Sequence, residues 1–423
     1  MLTQPCGHVA NPSVSRACPH LAPPPEDPGG HVRVMTGHGL EFDLVCEACD
    51  RAGEPVELTV ICEGCAERAF DDGDLVAWRG SAGIPERPEP MPPVYRWSPP
   101  HELGEVIGLA PVWGDRRSRW LALTADGRLA ELAPDDDRAT VRATLPLLQE
   151  PDHEPFLDRV LRHRLHASAC GRFAAVVNDY GRLGLVVDLD RDGAVTMELH
   201  GGGYRADTVP FSLAFAVHDG RPVVVHRTDW NRLDVSDPES GRLLTGRTFA
   251  KGEDLDYFHG RIVASPGGAA VADDGWIWHP VGVPLVWSLR RWLDEEPYES
   301  ERGPSLHRLC FRDYHWDTPL CFVGETAVAV SGIGDDDIAM LPGARVFSVG
   351  TGDELTAFAG PEGAFFSDGV RLYSAHADGL HVWDPVTGHR TGTVPGFTPA
   401  CLHHGTGELA AFTANGDLAR WRR

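Results

Sequence analysis

From about residue 101 to the C-terminus, apolar positions come in strand-length runs separated by tight turns, and few stretches have helical spacing. Residues 120–124, WLALT, lead into the turn Ala125, Asp126 and Gly127, and residues 128–132, RLAEL, lead out of it. Asp-Gly and Asn-Gly turns suit two-residue hairpins because both central positions need positive φ. Comparable markers fall at Tyr180-Gly181, Trp230-Asn231, Asp274-Gly275, Pro342-Gly343, Asp378-Gly379 and Asn415-Gly416. Seven markers between residues 127 and 416 give a mean spacing of about 48 residues. Short strands repeating at that interval predict blades of four strands, each able to bury its faces only between neighbours. The expected fold is all-β, a seven-bladed β-propeller over residues 101–423.

The last unit stops one strand short. Residues 409–412, the turn Asn415-Gly416 and residues 417–421 leave no chain for a fourth strand. Residues 93–97, PVYRW, precede the first full unit and have strand composition. They are expected to supply the missing outer strand, leaving no open edge there. Residues 85–100 hold seven prolines, a composition that favours an extended spacer over a packed element. The predicted order is therefore a module at 1–80, a proline-rich linker at 81–100 with the closing strand near its end, and the ring.

Residues 1–80 differ in chemistry. Six of the ten cysteines are Cys6, Cys18, Cys46, Cys49, Cys62 and Cys65. Cys46/Cys49 and Cys62/Cys65 are two Cys-x-x-Cys pairs separated by 12 residues, enough thiolates to surround one zinc ion. A disulfide framework is the alternative, but no basic-then-apolar leader pattern precedes it, and a reducing cytosol disfavours disulfides. Strand-like residues 41–45 and 56–61 lead into the pairs, and residues 66–70 are good helix formers. That order resembles a treble-clef or zinc-ribbon site. Cys6, His8, Cys18 and His20 form a second donor set with local pairing expected, and His31 and His38 are spare candidates. With every position filled by protein, such zinc ions are structural.

Residues 381–388, HVWDPVTG, resemble the strand-and-turn signature of WD40 repeats, and residues 233–241 and 346–352 resemble weaker copies. The resemblance implies that the tryptophan packs between blades and that the Thr-Gly or Ser-Gly pair closes the turn into the outer strand. Only one repeat has a literal Trp-Asp, and the family's Gly-His element is missing from its usual place. A quinoprotein-like or other seven-bladed ring stays open.

The formal net charge is −24, with 38 basic and 62 acidic residues, and residues 1–80 alone hold 5 basic and 13 acidic ones. Such a surface repels phosphate backbones, so no nucleic-acid partner is expected. No apolar run reaches the roughly 18 residues that a membrane span needs, so a cytoplasmic location with no membrane partner is expected. Lys251 is the sole lysine, and this arginine usage points to a GC-rich, bacterial coding genome.

The interval from Gly275 to Gly343 is about 20 residues longer than the mean and holds five of the twelve tryptophans. A short helix is expected near 288–296. Trp287, Arg291, Trp292, Tyr314, His315 and Trp316 are candidate partner-binding residues, because aromatic residues with arginine anchor interface centres. The bland alternative is an inserted helix packing its tryptophans on the ring. No nucleophile elbow accompanies residues 200–203, HGGG, and no phosphate loop or His-Glu-x-x-His occurs. Runs at 135–137 and 335–337 are solvated turns or hard-cation ligands. These features predict a non-catalytic scaffold for protein partners. The competing class is a hydrolase or small-molecule sensor with its site in the ring's channel.

Overall fold

The computed structural model describes residues 15–21, 31–35, 42–46, 48–49, 59–61, 74–76, 86–151, 155–157, 159–249, 255–333 and 340–423. Its larger part is a ring of seven antiparallel sheets. The blades span 106–144, 162–200, 213–236, 258–313, 320–359 and 364–395, and the seventh joins 401–422 to 95–97. Each blade's first strand lies innermost, next to the first strands of the two flanking blades. The third blade has three strands, with residues 237–247 following its outer side through a bridge between Ser236 and Leu243.

The expected closure is present. Tyr95–Trp97 pairs antiparallel with Leu418–Arg422, Trp97 facing Leu418, as the outermost strand of the seventh blade. The proline-rich segment before it is extended, but it is packed rather than a free spacer. Arg87 and Glu89 donate backbone N–H groups to the Arg390 and Thr391 carbonyls. Glu86 pairs with Arg390, and Glu89 with Arg423. Trp421 Nε1 donates to the Pro92 carbonyl at 3.0 Å. Prolines lack the donor that a central strand needs, so the segment lies along an exposed edge, where alternate amides suffice.

Five of the seven turn markers mark hairpins. Gly275 and Gly343 do not: they lie inside the strands Ala270–Ile277 and Leu341–Ser348. A Cβ on Gly275 would collide with the Phe258 carbonyl and the Tyr257 ring, so this glycine permits close strand approach. Beside it, Asp274 and Arg312 form a fully buried ion pair at 2.7 Å. Asp274 also accepts the Thr318 N–H, and Arg312 donates to the Ser331 carbonyl at 2.8 Å, which ties the fourth blade to the fifth.

Large rings against small neighbours fill the spaces between blades. Trp383 is fully buried among Ala327, Ala329 and Ala344 of the preceding blade, and Trp120 packs against Ala410 of the seventh. The turn after Trp383 has a fixed pattern: Asp384 accepts from the Val386 and Thr387 amides, and Gly388 at φ 70° donates to the Asp384 carbonyl. Asp237 with Gly241, and Ser348 with Gly352, repeat that closing bond at the other two sites expected from sequence. The outer helix is present at Leu289–Asp294, capped by the Ser288 hydroxyl accepting from the Arg291 N–H.

In residues 15–76 the described strands form a separate five-stranded sheet in which Phe42–Cys46 is central. Among the described residues, no helix is long and apolar enough to cross a membrane.

Candidate functional site

In the small sheet, Ser15–Ala17 runs parallel to Phe42–Cys46, with Ala17 beside Leu44. Parallel pairing brings out Cys18 and Cys46 at the same end of the sheet. A turn after Cys18 carries His20 back over that end, and Cys49 follows Cys46 by one short turn. One ligand atom from each of Cys18, His20, Cys46 and Cys49 lies within 4.8 Å of the others. His20 Nδ1 is 3.1 Å from Cys49 Sγ and 3.7 Å from Cys46 Sγ, and the Cys46 N–H donates to Cys18 Sγ at 3.4 Å. A tetrahedral ion with bonds near 2.0–2.3 Å separates its ligands by roughly 3.5–3.8 Å, so the group is of metal-binding size.

The electrostatics agree. Burial pushes the Cys49 thiol up to about 12, and the neighbouring Cys46 and Cys18 sulfurs add to the effect. Burial opposes ionisation of Cys46 as well, but hydrogen bonds from Cys49 and Ala48 outweigh it and hold that thiol below its ordinary value. Crowded thiols of this kind ionise together when a cation is present.

This grouping differs from the expected one. Cys46 and Cys49 join Cys18 and His20, which sequence spacing had assigned to another set. Cys18 and Cys46 meet because Ser15–Ala17 and Phe42–Cys46 run parallel, whereas Thr59–Ile61 runs antiparallel to Ser15–Ala17, pairing Ile61 with Ser15. Cys6, His8, Cys62, Cys65 and His38 lie outside the described residues, as do the expected helix at 66–70 and residues 335–337. His31 is in a strand, paired with Cys46.

The expected partner surface divides in two. Trp287 and Trp292 are fully buried, their rings 5.8 Å apart, in the core between the third and fourth blades. They are therefore not accessible to a partner, and the helix packs its tryptophan on the ring. Arg291 is half-buried beside them and pairs with Glu295 at 3.1 Å. Tyr314, His315 and Trp316 lie elsewhere, in the connection from the fourth blade to the fifth. Because strands alternate in direction, each such connection shares one face of the ring with the turns between second and third strands.

On that face lies an aromatic cluster. Trp276 stacks on Phe258 at 4.2 Å and on Trp316 at 4.8 Å. Trp230 lies 4.6 Å from Phe258, and Tyr204 lies 5.2 Å from Trp230. Trp316 Nε1 donates to the Thr208 carbonyl at 2.9 Å, and Arg205 covers the Phe156 ring at 3.8 Å. Tyr314, Tyr204 and Phe156 are 59%, 47% and 41% exposed. Next to Trp230 is a groove of about 360 Å³ edged by Asp229 and Asp256. Tyr180, Arg205, His279, Tyr314 and Asp317, all on this face, have positive φ, a conformation that costs these residue types of order 1–3 kcal/mol each.

Phe156, Tyr204 and Trp230 were missed in the sequence, although Phe156 and Tyr204 are 48 residues apart, one blade repeat. Gly201 in the 200–203 loop is explained by packing, since a Cβ there would meet Arg227 and Phe211. Among the described residues one further donor cluster exists, His376, Asp378 and His381 in a hairpin of the sixth blade. His376 Nε2 already takes the Glu362 N–H at 3.1 Å and lies 2.9 Å from Ser374 Oγ, so hairpin structure accounts for it.

No protein-family model matches the chain, and no curated protein is similar to it.

Proposed function

We propose that the protein is a non-catalytic scaffold whose ring binds a partner protein through the aromatic face of blades two to four. The small N-terminal sheet is held by a structural zinc ion on Cys18, His20, Cys46 and Cys49. Three thiolates and an imidazole are the soft-to-borderline donors that zinc accepts, and a filled shell leaves no position for a substrate. The proposal also retains the WD40-like character of the ring, supported by the Trp383 packing and the three matching turns.

The observation that carries the binding role is the continuity of Phe156, Tyr204 and Trp230 with the acidic groove at Asp229 and Asp256. Exposed aromatic side chains with adjacent charge provide large contact area at low entropic cost. The partner segment that fits is a peptide with an arginine or lysine next to an apolar residue. Selection from a random peptide library on the full chain tests this. Enriched peptides should carry that pairing and lose at least about tenfold in affinity on Trp230→Ala. Enriched peptides of unrelated composition, or ones indifferent to Trp230→Ala and Tyr204→Ala, would remove the face from the account.

A further inference from the structure

The seven inner strands enclose a cavity of about 580 Å³ along the ring axis. Its lining is sharply unequal. Among the described residues, the ionised side chains that line it are Arg162, Arg164 and Arg261 against one aspartate, Asp179. The acidic chain thus surrounds a cationic centre.

Asp179 is already committed. Its carboxylate accepts from Arg162 Nε at 3.1 Å and from the Phe211 N–H at 3.1 Å, and it pairs with Arg164 Nη2 at 3.0 Å. Arg164 also donates to the Phe211 carbonyl at 2.5 Å. The Arg261 guanidinium has no such partner: it makes no hydrogen bond or ion pair with any described residue. Arg164 is the third residue of Arg162–Ala167 and Arg261 the fourth of Phe258–Ala264, so the two stand at similar depth. Between them the third blade offers Leu213, Ala214 and Phe215, none of which can neutralise charge. Burial first, then the Arg261 and Arg162 charges, bring Arg164 down to about 10 against the pull of Asp179. Burial, Arg164 and Arg261 likewise keep His166 neutral, so it adds no charge of its own.

The opposite wall is apolar. Ile107, Leu109, Cys321, Phe366 and Cys401 face the cavity from blades one, five, six and seven. Burial raises the Cys321 and Cys401 thiols well above their ordinary value, so they remain uncharged. Arg261 is half-buried at the cavity wall, and a counter-anion entering the cavity finds its guanidinium without a described partner. A planar carboxylate matches the guanidinium fork in geometry.

We propose that the channel is a binding site for a small amphipathic carboxylate. Its head group pairs with Arg261 at the level of Arg164, and its apolar body lies against Phe366 and Ile107. Arg162, exposed at one mouth, draws the anion in. The volume lies within the range of small-molecule pockets. This site is separate from the aromatic face, and either can fail without the other.

The test is isothermal titration of the full-length, metal-replete chain with 4-phenylbutyrate and with its uncharged isostere 4-phenylbutanamide. The carboxylate should bind one-to-one and at least about tenfold tighter than the amide. Arg261→Gln should bring the carboxylate to the level of the amide with an unchanged circular dichroism spectrum, and Arg261→Lys should keep part of the preference. Equal binding of the two compounds, no saturable binding at millimolar concentration, or unaltered binding by a folded Arg261→Gln chain would each overturn the proposal. Should Arg261→Gln fail to fold, the comparison of the two compounds on the unaltered chain decides alone.

Discussion

The small sheet and the ring solve the same problem with different means. The ring buries whole aromatic side chains between blades, Trp120, Trp276, Trp287, Trp383 and Trp421 among them, each at 1% exposure or less. In the small sheet the described strands are three to five residues long, and among the side chains described there the buried ones are Ala17, Cys18, Leu21, Leu44, Val45 and Cys49. Two of those six are metal-site cysteines. Strands this short gain little from apolar contacts alone, and on the proposed reading ligand bonds to a metal ion supplement them. A ring can repeat a modest contact seven times; a single small sheet must concentrate its stability at one point.

The ring side of this contrast is broken most severely by opening the circle. A chain that begins at residue 98 lacks Tyr95–Trp97 and the docked segment 86–92. Its melting temperature should fall by on the order of 10 °C or more, whereas a chain that begins at residue 86 should keep the full value. Equal melting of the two would mean that the closing strand contributes nothing. A smaller loss is expected from Arg312→Ala, which leaves the Asp274 carboxylate buried without its partner. Denaturant unfolding should show a loss of about 3–5 kcal/mol. Because Asp274 also holds the Thr318 N–H, tryptophan fluorescence from Trp316 should change in the folded variant. A loss below about 1 kcal/mol would show that the pair is solvated.

Much of the ring was legible because its chemistry is local. Turn residues and alternating apolar runs mark hairpins one by one, and the missing final strand could be inferred from residues 93–97. Two markers misled: at Gly275 and Gly343 the glycine serves close packing inside a strand, and no local pattern separates that use from a turn. The proline-rich segment was read as a spacer since proline disfavours central strands, but an edge tolerates it. In the small sheet the donor residues were visible and their grouping was not. That Cys46 meets Cys18 depends on the parallel pairing of Ser15–Ala17 with Phe42–Cys46, which residue spacing does not encode. For the same reason the aromatic face and the arginines of the channel were hidden: they come from strands and connections in different blades. Trp287 and Trp292 show the converse, large aromatic residues that looked like anchors and proved to be core.

Hydrogen exchange across the full chain, before and after treatment with a strong zinc chelator, tests the division most directly. Amides in the strands between residues 15 and 76 should lose protection on chelation, and those of the seven blades, including Tyr95–Trp97, should keep theirs. Protection lost throughout the ring, or a small sheet that stays protected without metal, would contradict the account.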